Sequence, residues 1–154
     1  MQSGFILTGA GLGDLNALRR LEQECFGGDA WPLWDLIGVL ILPGLVRLKA
    51  VIGSEMIGFI GGDPHPAEGV GWVATLGVLP AYRRRGVASA LLRACEEAMG
   101  MPTVRLSVRR SNQAAIQLYH THGYHLVDVW NAYYFDGEDA LVLEKKLQFP
   151  LKSG

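Results

Sequence analysis

The chain has 154 residues, 49% hydrophobic and 19% charged, with a net charge of −1 and a pI near 6.4. That balance fits one soluble globular domain over 1–154 and excludes a general nucleic-acid binder, which carries a basic excess throughout. The longest apolar run, residues 36–46, is broken by Pro43 and too short to span a bilayer, no leader segment is evident, and Cys25 and Cys95 have no metal-type spacing; a reducing cytoplasm and no membrane are expected.

Residues 4–8 read as a first strand. Asp14 is placed to cap a helix over 14–26, with Leu15, Leu18, Leu21 and Cys25 on one side. Residues 31–40 read as a second, short helix. Residues 45–63 read as two strands around Gly53-Ser54-Glu55, followed by a loop over 64–69 and a strand over 70–78. Ala88, Leu91, Leu92, Cys95 and Met99 recur at helical spacing, so a helix is expected over 86–99, closed by Gly100 and Pro102. A strand over 103–108, a helix over 112–122 ended by Gly123, and strands over 124–130 and 140–147 complete the chain. Strands with helices inserted predict a mixed α/β (α+β) layer. Gly9, Gly11 and Gly13 imitate a dinucleotide-binding loop, but Asp14 stands where its third glycine belongs; a loop needing flexible backbone is the better reading.

The charge is unevenly placed. Arg83, Arg84, Arg85, Arg93, Arg105, Arg109 and Arg110 are seven of the 14 basic residues, opposed between 83 and 110 only by Glu96 and Glu97. A basic patch on a near-neutral chain points to a discrete anion. Three of these arginines run into Gly86 at the mouth of the helix over 86–99. A helix start leaves N–H groups without internal partners, and its dipole favours negative charge there. Strand, glycine-bearing turn and helix therefore make a phosphate cradle, and arginine adds bidentate donors. The turn alone leaves a solvated arginine cluster equally open.

A second segment, "LSVRRSNQAAIQLYHTHGY" (106–124), decides between them. Together the two stretches resemble the GCN5-related N-acetyltransferases. Arg83 to Ala88 matches that family's R/Q-x-x-G-x-G/A signature, and "TLGVLPAYRRRG" looks like its fourth strand and turn. Residues 106–124 resemble its second motif: an asparagine, an alanine-rich helix, Leu-Tyr, then glycine and an aromatic. The tail "NAYYFDGEDALVLEKKL" (131–147) is similar to the end of the protein N-terminal acetyltransferases, the ribosomal-protein-alanine branch among them. The resemblance implies a mixed, mostly antiparallel sheet of six to seven strands with helices on both faces. It implies acetyl-coenzyme A as cofactor and direct transfer to a primary amine. The favoured acceptor is the N-terminal α-amine of a protein or peptide, a ribosomal protein among the candidates. A small amine, a lysine side chain, or a non-catalytic acyl-coenzyme A binding domain are the alternatives. Monomer and homodimer both stay open, with no metal and no nucleic acid.

The resemblance also implies roles. The pyrophosphate is expected on the backbone amides of Arg85, Gly86, Val87 and Ala88, with Arg83 and Arg84 adding charge. Pantetheine is expected along the strand edge at Leu76 and Val78, and Asn112 beside that arm, where an asparagine also serves as a helix N-cap. Tyr119 matches the tyrosine facing the cofactor sulfur; a phenol there can protonate the departing thiolate, although a core tyrosine is the alternative. Tyr133 and Tyr134 match a pair that binds the backbone of the incoming N-terminus, or are an aromatic strand pair. Phe26, Trp31, Pro32 and Trp34 occupy the segment that lines the acceptor side, and could equally be core. Where the branch usually carries a Glu or His base, this chain has Ser107, and where some members use a tyrosine it has Trp72. An α-amine with a pKa near 8 asks little of a base; water ordered by Ser107, or Glu24, Asp29 or Asp139, could serve.

Overall fold

The structure, a computed structural model, describes residues 4–147. Its strands are β1 (Ile6–Gly9), β2 (Val46–Ile52), β3 (Glu55–His65), β4 (Val70–Val78), β5 (Thr103–Arg109), β6 (His125–Trp130) and β7 (Ala140–Lys146). Its helices are α1 (Leu15–Phe26), α2 (Leu33–Ile41), α3 (Val87–Met99) and α4 (Gln113–Thr121), with single 3₁₀ turns at Leu12–Asp14, Gly27–Asp29 and Pro80–Tyr82. The strand order is β1-β2-β3-β4-β5-β7-β6. The pairs β1–β2, β2–β3, β5–β7 and β6–β7 are antiparallel, and β4–β5 is parallel. This is the mixed, mostly antiparallel sheet the motifs implied.

Three local expectations are corrected. Asp14 makes no side-chain cap to α1; its carboxylate accepts from the Gly11 N–H at 2.9 Å and from Lys49 Nζ at 2.7 Å. That contact ties the start of α1 to β2. Gly9, Gly11 and Gly13 are absent from the positive-φ residues, so the flexible backbone expected there is not used. The loop over 64–69 shrinks, because β3 runs on through Pro64 to His65. Proline lacks only the donor, and a strand end tolerates that.

The chain divides into two compact units: the chain up to Asp63 with Ala74–Met99, and Pro64–Val73 with the chain from Gly100. In the first, α1 and α2 cover one face of the strands and α3 the other. Glycines in β3 and β4 set how closely they pack. A Cβ on Gly61 would lie 2.9 Å from Val39 of α2, and one on Gly77 3.1 Å from Leu21 of α1. On the opposite face, a Cβ on Gly58 would lie 3.0 Å from Leu91 and one on Gly62 2.6 Å from Cys95, both of α3. The core between the α1–α2 pair and the strands is Leu18, Leu21, Leu36, Val39, Leu40, Met56, Phe59 and Leu79. In the second unit, Val104, Leu106 and Val108 of β5 and Val142 and Leu143 of β7 are buried with Tyr119 and Tyr124.

Candidate active site

The turn before α3 has the geometry its sequence suggested. Arg84 has φ 66° and Gly86 φ 80°, both left-handed, and the first α3 bond runs from Ala90 N–H to Gly86 C=O at 3.0 Å. A non-glycine residue in that region is costly and marks a constrained turn. A Cβ on Gly86 would meet no atom within 4 Å, so the space in front of the helix start is open. Arg84 and Arg85 are exposed, and the Arg85 guanidinium lies 5.3 Å from the centre of the Tyr82 ring. Arg83 is turned back: its Nε donates to Val78 C=O at 2.9 Å. The Cys25 thiol donates to the same carbonyl at 3.4 Å. Val78 C=O is thus engaged from within the protein.

Open space at a helix start with a left-handed turn and two exposed arginines fits a phosphate group. The parallel ladder of β4 with β5 is short, pairing Val70 with Thr103, Gly71 with Val104 and Trp72 with Arg105. Leu76 and Val78 lie beyond that register on the same strand.

The second unit gathers the aromatic residues. Tyr119, on α4, is buried and packs edge-to-face on Tyr124 at 5.8 Å. Burial, and then the neighbouring Tyr134, push its phenol up to about 12. Tyr133 and Tyr134 are not strand residues; they sit in the segment between β6 and β7, their rings 5.1 Å apart. A chain of rings continues from Tyr133 to Trp130 at 5.1 Å and from Trp130 to Trp72 at 6.0 Å. Arg109 holds this segment. Its guanidinium lies 4.1 Å from the Tyr134 ring centre and pairs with Asp136 at 2.9 Å and Glu138 at 2.7 Å. The Glu138 N–H first, then Arg109, holds the Asp136 carboxyl below its ordinary range; hydrogen bonds from Ser111 and then Arg109 do the same for Glu138. Asn112 caps α4, its Oδ1 accepting from Ala115 N–H at 3.1 Å.

These pairs revise the basic patch. Arg105 bonds Glu144 at 2.7 Å, Arg109 bonds Asp136 and Glu138, and Arg110 pairs with Asp139 at 3.3 Å. The opposing carboxylates come from 136–144, outside the stretch whose charge was weighed. Arg83, Arg84 and Arg85 are all exposed at the α3 turn, but the Arg83 Nε is committed to Val78 C=O.

Two features of the first unit escaped the sequence reading. One is a groove of about 410 Å³ whose lining includes Trp31, Trp34, Gly38, Val39, Leu42 and Leu45, with Asp35, Asp63 and Ala74. Phe26 is not part of it; its ring lies against β4, 3.3 Å from where a Gly77 Cβ would be. The other is Glu22, 1% exposed on α1. Its Oε1 accepts from Trp31 N–H at 3.1 Å and its Oε2 from the Thr75 hydroxyl at 3.0 Å. One carboxylate thereby ties α1, the groove wall and β4. Burial raises its pKa above the ordinary 4.5, only partly offset by the Trp31 and Thr75 hydrogen bonds. An acid raised on folding contributes stability below its unfolded pKa, and this contribution is lost as pH rises through the folded value. Glu22→Gln keeps an acceptor for Trp31 and can donate to Thr75 without a charge. The melting temperature of that variant relative to the unmodified chain is expected to rise as the pH increases from about 4; paired melts check this, and a gap that shrinks or stays constant contradicts the burial argument.

Ser107 lies on β5 opposite Val142, half-buried, and Trp72 is committed to its stack on Trp130. Asp139 accepts from Ala132 N–H at 2.9 Å as well as pairing with Arg110. Glu24 and Asp29 are exposed in the first unit. Cys95 is buried, and burial pushes its thiol up to about 12, so it is inert core as expected. Among the described residues no His/Cys/Asp/Glu group could hold a metal ion, and no helix is long and apolar enough to cross a membrane.

Known proteins resemble this chain in sequence and in fold. A model of the acetyltransferase (GNAT) family matches residues 15–124. The N-terminal acetyltransferase A complex catalytic subunit NAA10 of Arabidopsis thaliana is 32% identical over 142 residues, covering 88% of this chain and 74% of that protein. The N-alpha-acetyltransferase RimI of Mycobacterium tuberculosis is 33% identical over 138 residues, 86% of each. The crystal structure of the ribosomal-protein-S18-alanine N-acetyltransferase from Escherichia coli shares the fold, with a TM-score of 0.85 at 23% identity over 96% of this chain and 97% of that one. Arabidopsis thaliana NAA60 in complex with acetyl-CoA shares it too, with a TM-score of 0.82 at 22% identity over 93% and 98%. Since the family match runs through both the arginine turn and the tyrosine helix, the chain belongs to the GNAT acetyltransferases.

Proposed function

We propose that the chain transfers the acetyl group of acetyl-coenzyme A to the α-amine at the N-terminus of a polypeptide. The observation that carries this is the likeness, at about a third identity and over most of both chains, to proteins named N-alpha-acetyltransferases. The whole chain acts as one catalytic domain in this reading. The amides of Arg85 to Ala88 hold the pyrophosphate, with charge from Arg84 and Arg85, while Arg83 braces the turn through Val78. The edge at Leu76 and the Val78 N–H carries the pantetheine arm, since the Val78 C=O is taken by Arg83 and Cys25, with Asn112 near it and capping α4. Tyr133 and Tyr134 orient the acceptor backbone.

The chemistry then needs three events. The neutral amine nitrogen forms a bond to the thioester carbonyl carbon. The carbon–sulfur bond breaks, and its electron pair leaves with the sulfur. That thiolate takes the Tyr119 hydroxyl proton, the surplus amine proton goes to water, since neither Ser107 nor Trp72 offers a base, and solvent returns a proton to the Tyr119 phenolate.

Peptides with a free N-terminus are expected to be acetylated, and the same peptides with a blocked α-amine and a free lysine are not. Thiol release with both sets reads this directly. Activity on the blocked set alone moves the chain to lysine or small-amine acceptors; thiol release with neither leaves an acyl-coenzyme A binding domain.

A further inference from the structure

We infer that the groove beside α2 receives the first side chain of the acceptor, and that this side chain is large and apolar: leucine, methionine or phenylalanine in place of alanine. The inference rests on the proposed acetylation of an N-terminal amine and names its substrate class.

Size is the first argument. The groove holds about 410 Å³, whereas a methyl side chain fills no more than roughly the 30 Å³ share of one water. Its walls are apolar, so a small residue would leave most of that surface in contact with water. The space has a sequence cause. Gly38 is the one residue of α2 on this lining without a side chain, and a Cβ there would meet only Leu42 Cδ1, at 3.5 Å. Trp34 forms part of the lining while 78% exposed, a large apolar side chain open to water where a partner would cover it. Trp31, by contrast, donates its backbone N–H to the buried Glu22 carboxylate.

Position is the second argument. Ala74 of the groove lies two residues before Leu76 on β4, a separation of about 7 Å along a strand. If the thioester stands at the Leu76 edge, the attacking amine stands there too. The side chain that branches from the carbon next to that amine is the one within reach of the groove.

Charge is the third. The carboxylate of Asp35 on the lining favours an arriving N-terminal ammonium and opposes an acidic first residue. A recess of this size with an acidic group in an apolar wall suits one side chain next to a cation, which is what an N-terminus presents.

The test uses the full chain and two peptide sets, one varying only the first residue (Leu, Met, Phe, Ala, Ser, Asp) and one varying only the second. Leu, Met and Phe at the first position are expected to exceed Ala by about 10–200-fold in kcat/KM, the discrimination a methylene or so achieves in an apolar pocket, with the change mainly in KM and Asp the poorest. Gly38→Leu fills the recess from within, and the ratio of Leu-first to Ala-first kcat/KM should collapse toward one. Gly38→Ala should compress that ratio by an intermediate amount, and it reads the same point if the larger variant fails to fold. Equal kcat/KM across first residues, a preference expressed at the second position, or Gly38 variants that leave the ratio intact would each overturn the inference. A preference for Ala sinks the inference alone. Acetylation of lysine only, or of no free α-amine, refutes the proposed function and the groove assignment with it.

Discussion

Tyr119→Phe is expected to lower turnover by about 10²–10⁴-fold, the usual contribution of a general acid, with little change in acetyl-coenzyme A affinity. The variant keeps the ring and its edge-to-face contact with Tyr124, so the fold should survive and only the proton is lost. The phenol, pushed up to about 12 by burial and Tyr134, stays protonated across the working range and is a donor throughout. Apolar surroundings that disfavour the phenolate also disfavour a departing thiolate, which makes the proton transfer less uphill than the separate values in water imply. No alkaline limb belonging to Tyr119 should therefore appear in the neutral range. The acidic limb of kcat/KM should follow the acceptor amine, and two peptides of different α-amine pKa should shift it accordingly. A limb that stays fixed while the peptide pKa moves means that an enzyme group titrates. Turnover unchanged in the Phe variant means that another group protonates the thiolate.

Gly86→Val is expected to weaken acetyl-coenzyme A binding sharply, by an order of magnitude or more. Two effects combine. The left-handed backbone at φ 80° costs an L-residue roughly 1–2 kcal/mol, and a β-branched side chain adds to that. The space in front of α3, open in the native chain, would then hold the valine methyls where a phosphate oxygen must meet the amides. Calorimetry on both proteins measures it. Gly86→Ala separates the causes, because it carries the backbone strain with far less obstruction. Unchanged affinity in the valine variant would place the pyrophosphate elsewhere.

Much of the framework could be read from the residues because local rules and tertiary packing agree there. The apolar spacing of α3 has Leu91, Leu92, Cys95 and Met99 buried, and Gly53 takes φ 61° in its hairpin turn. β4 falls on the expected residues because its punctuation is unambiguous. What escaped depends on contacts between distant segments. Arg105 and Glu144 face each other across β5 and β7, 39 residues apart, so a charge count confined to 83–110 mistook paired arginines for a free patch. Tyr133 and Tyr134 suit a strand by composition, yet Ala132 takes φ 51° before them and the chain turns. Glu22 did leave a signal: Leu15, Leu18, Glu22 and Cys25 share one helix stripe, and a carboxylate in an apolar stripe asks for a buried partner. The groove left none, since a glycine in an apolar helix looks the same whether it makes room for a ligand or for another helix.

The segment 131–139 carries the two tyrosines, yet none of its side chains is fully buried. It is fastened to the end of β5 by charge: Arg109 on Asp136 and Glu138, Arg110 on Asp139, and the Ser111 N–H on Glu138 at 2.7 Å. Regions held this way, with little buried apolar contact, belong to the low end of a protein's range of local unfolding free energies. Their fastening also weakens as salt screens the pairs, over a Debye length of about 8 Å at physiological ionic strength. The second unit therefore joins a hydrophobic β5–β7 ladder to a segment held largely by ion pairs, and opening that segment is expected to cost less than opening the ladder. Raising the salt concentration is therefore expected to loosen the segment that carries Tyr133 and Tyr134 down to what its ring contacts and backbone hydrogen bonds hold, while the sheet stays intact.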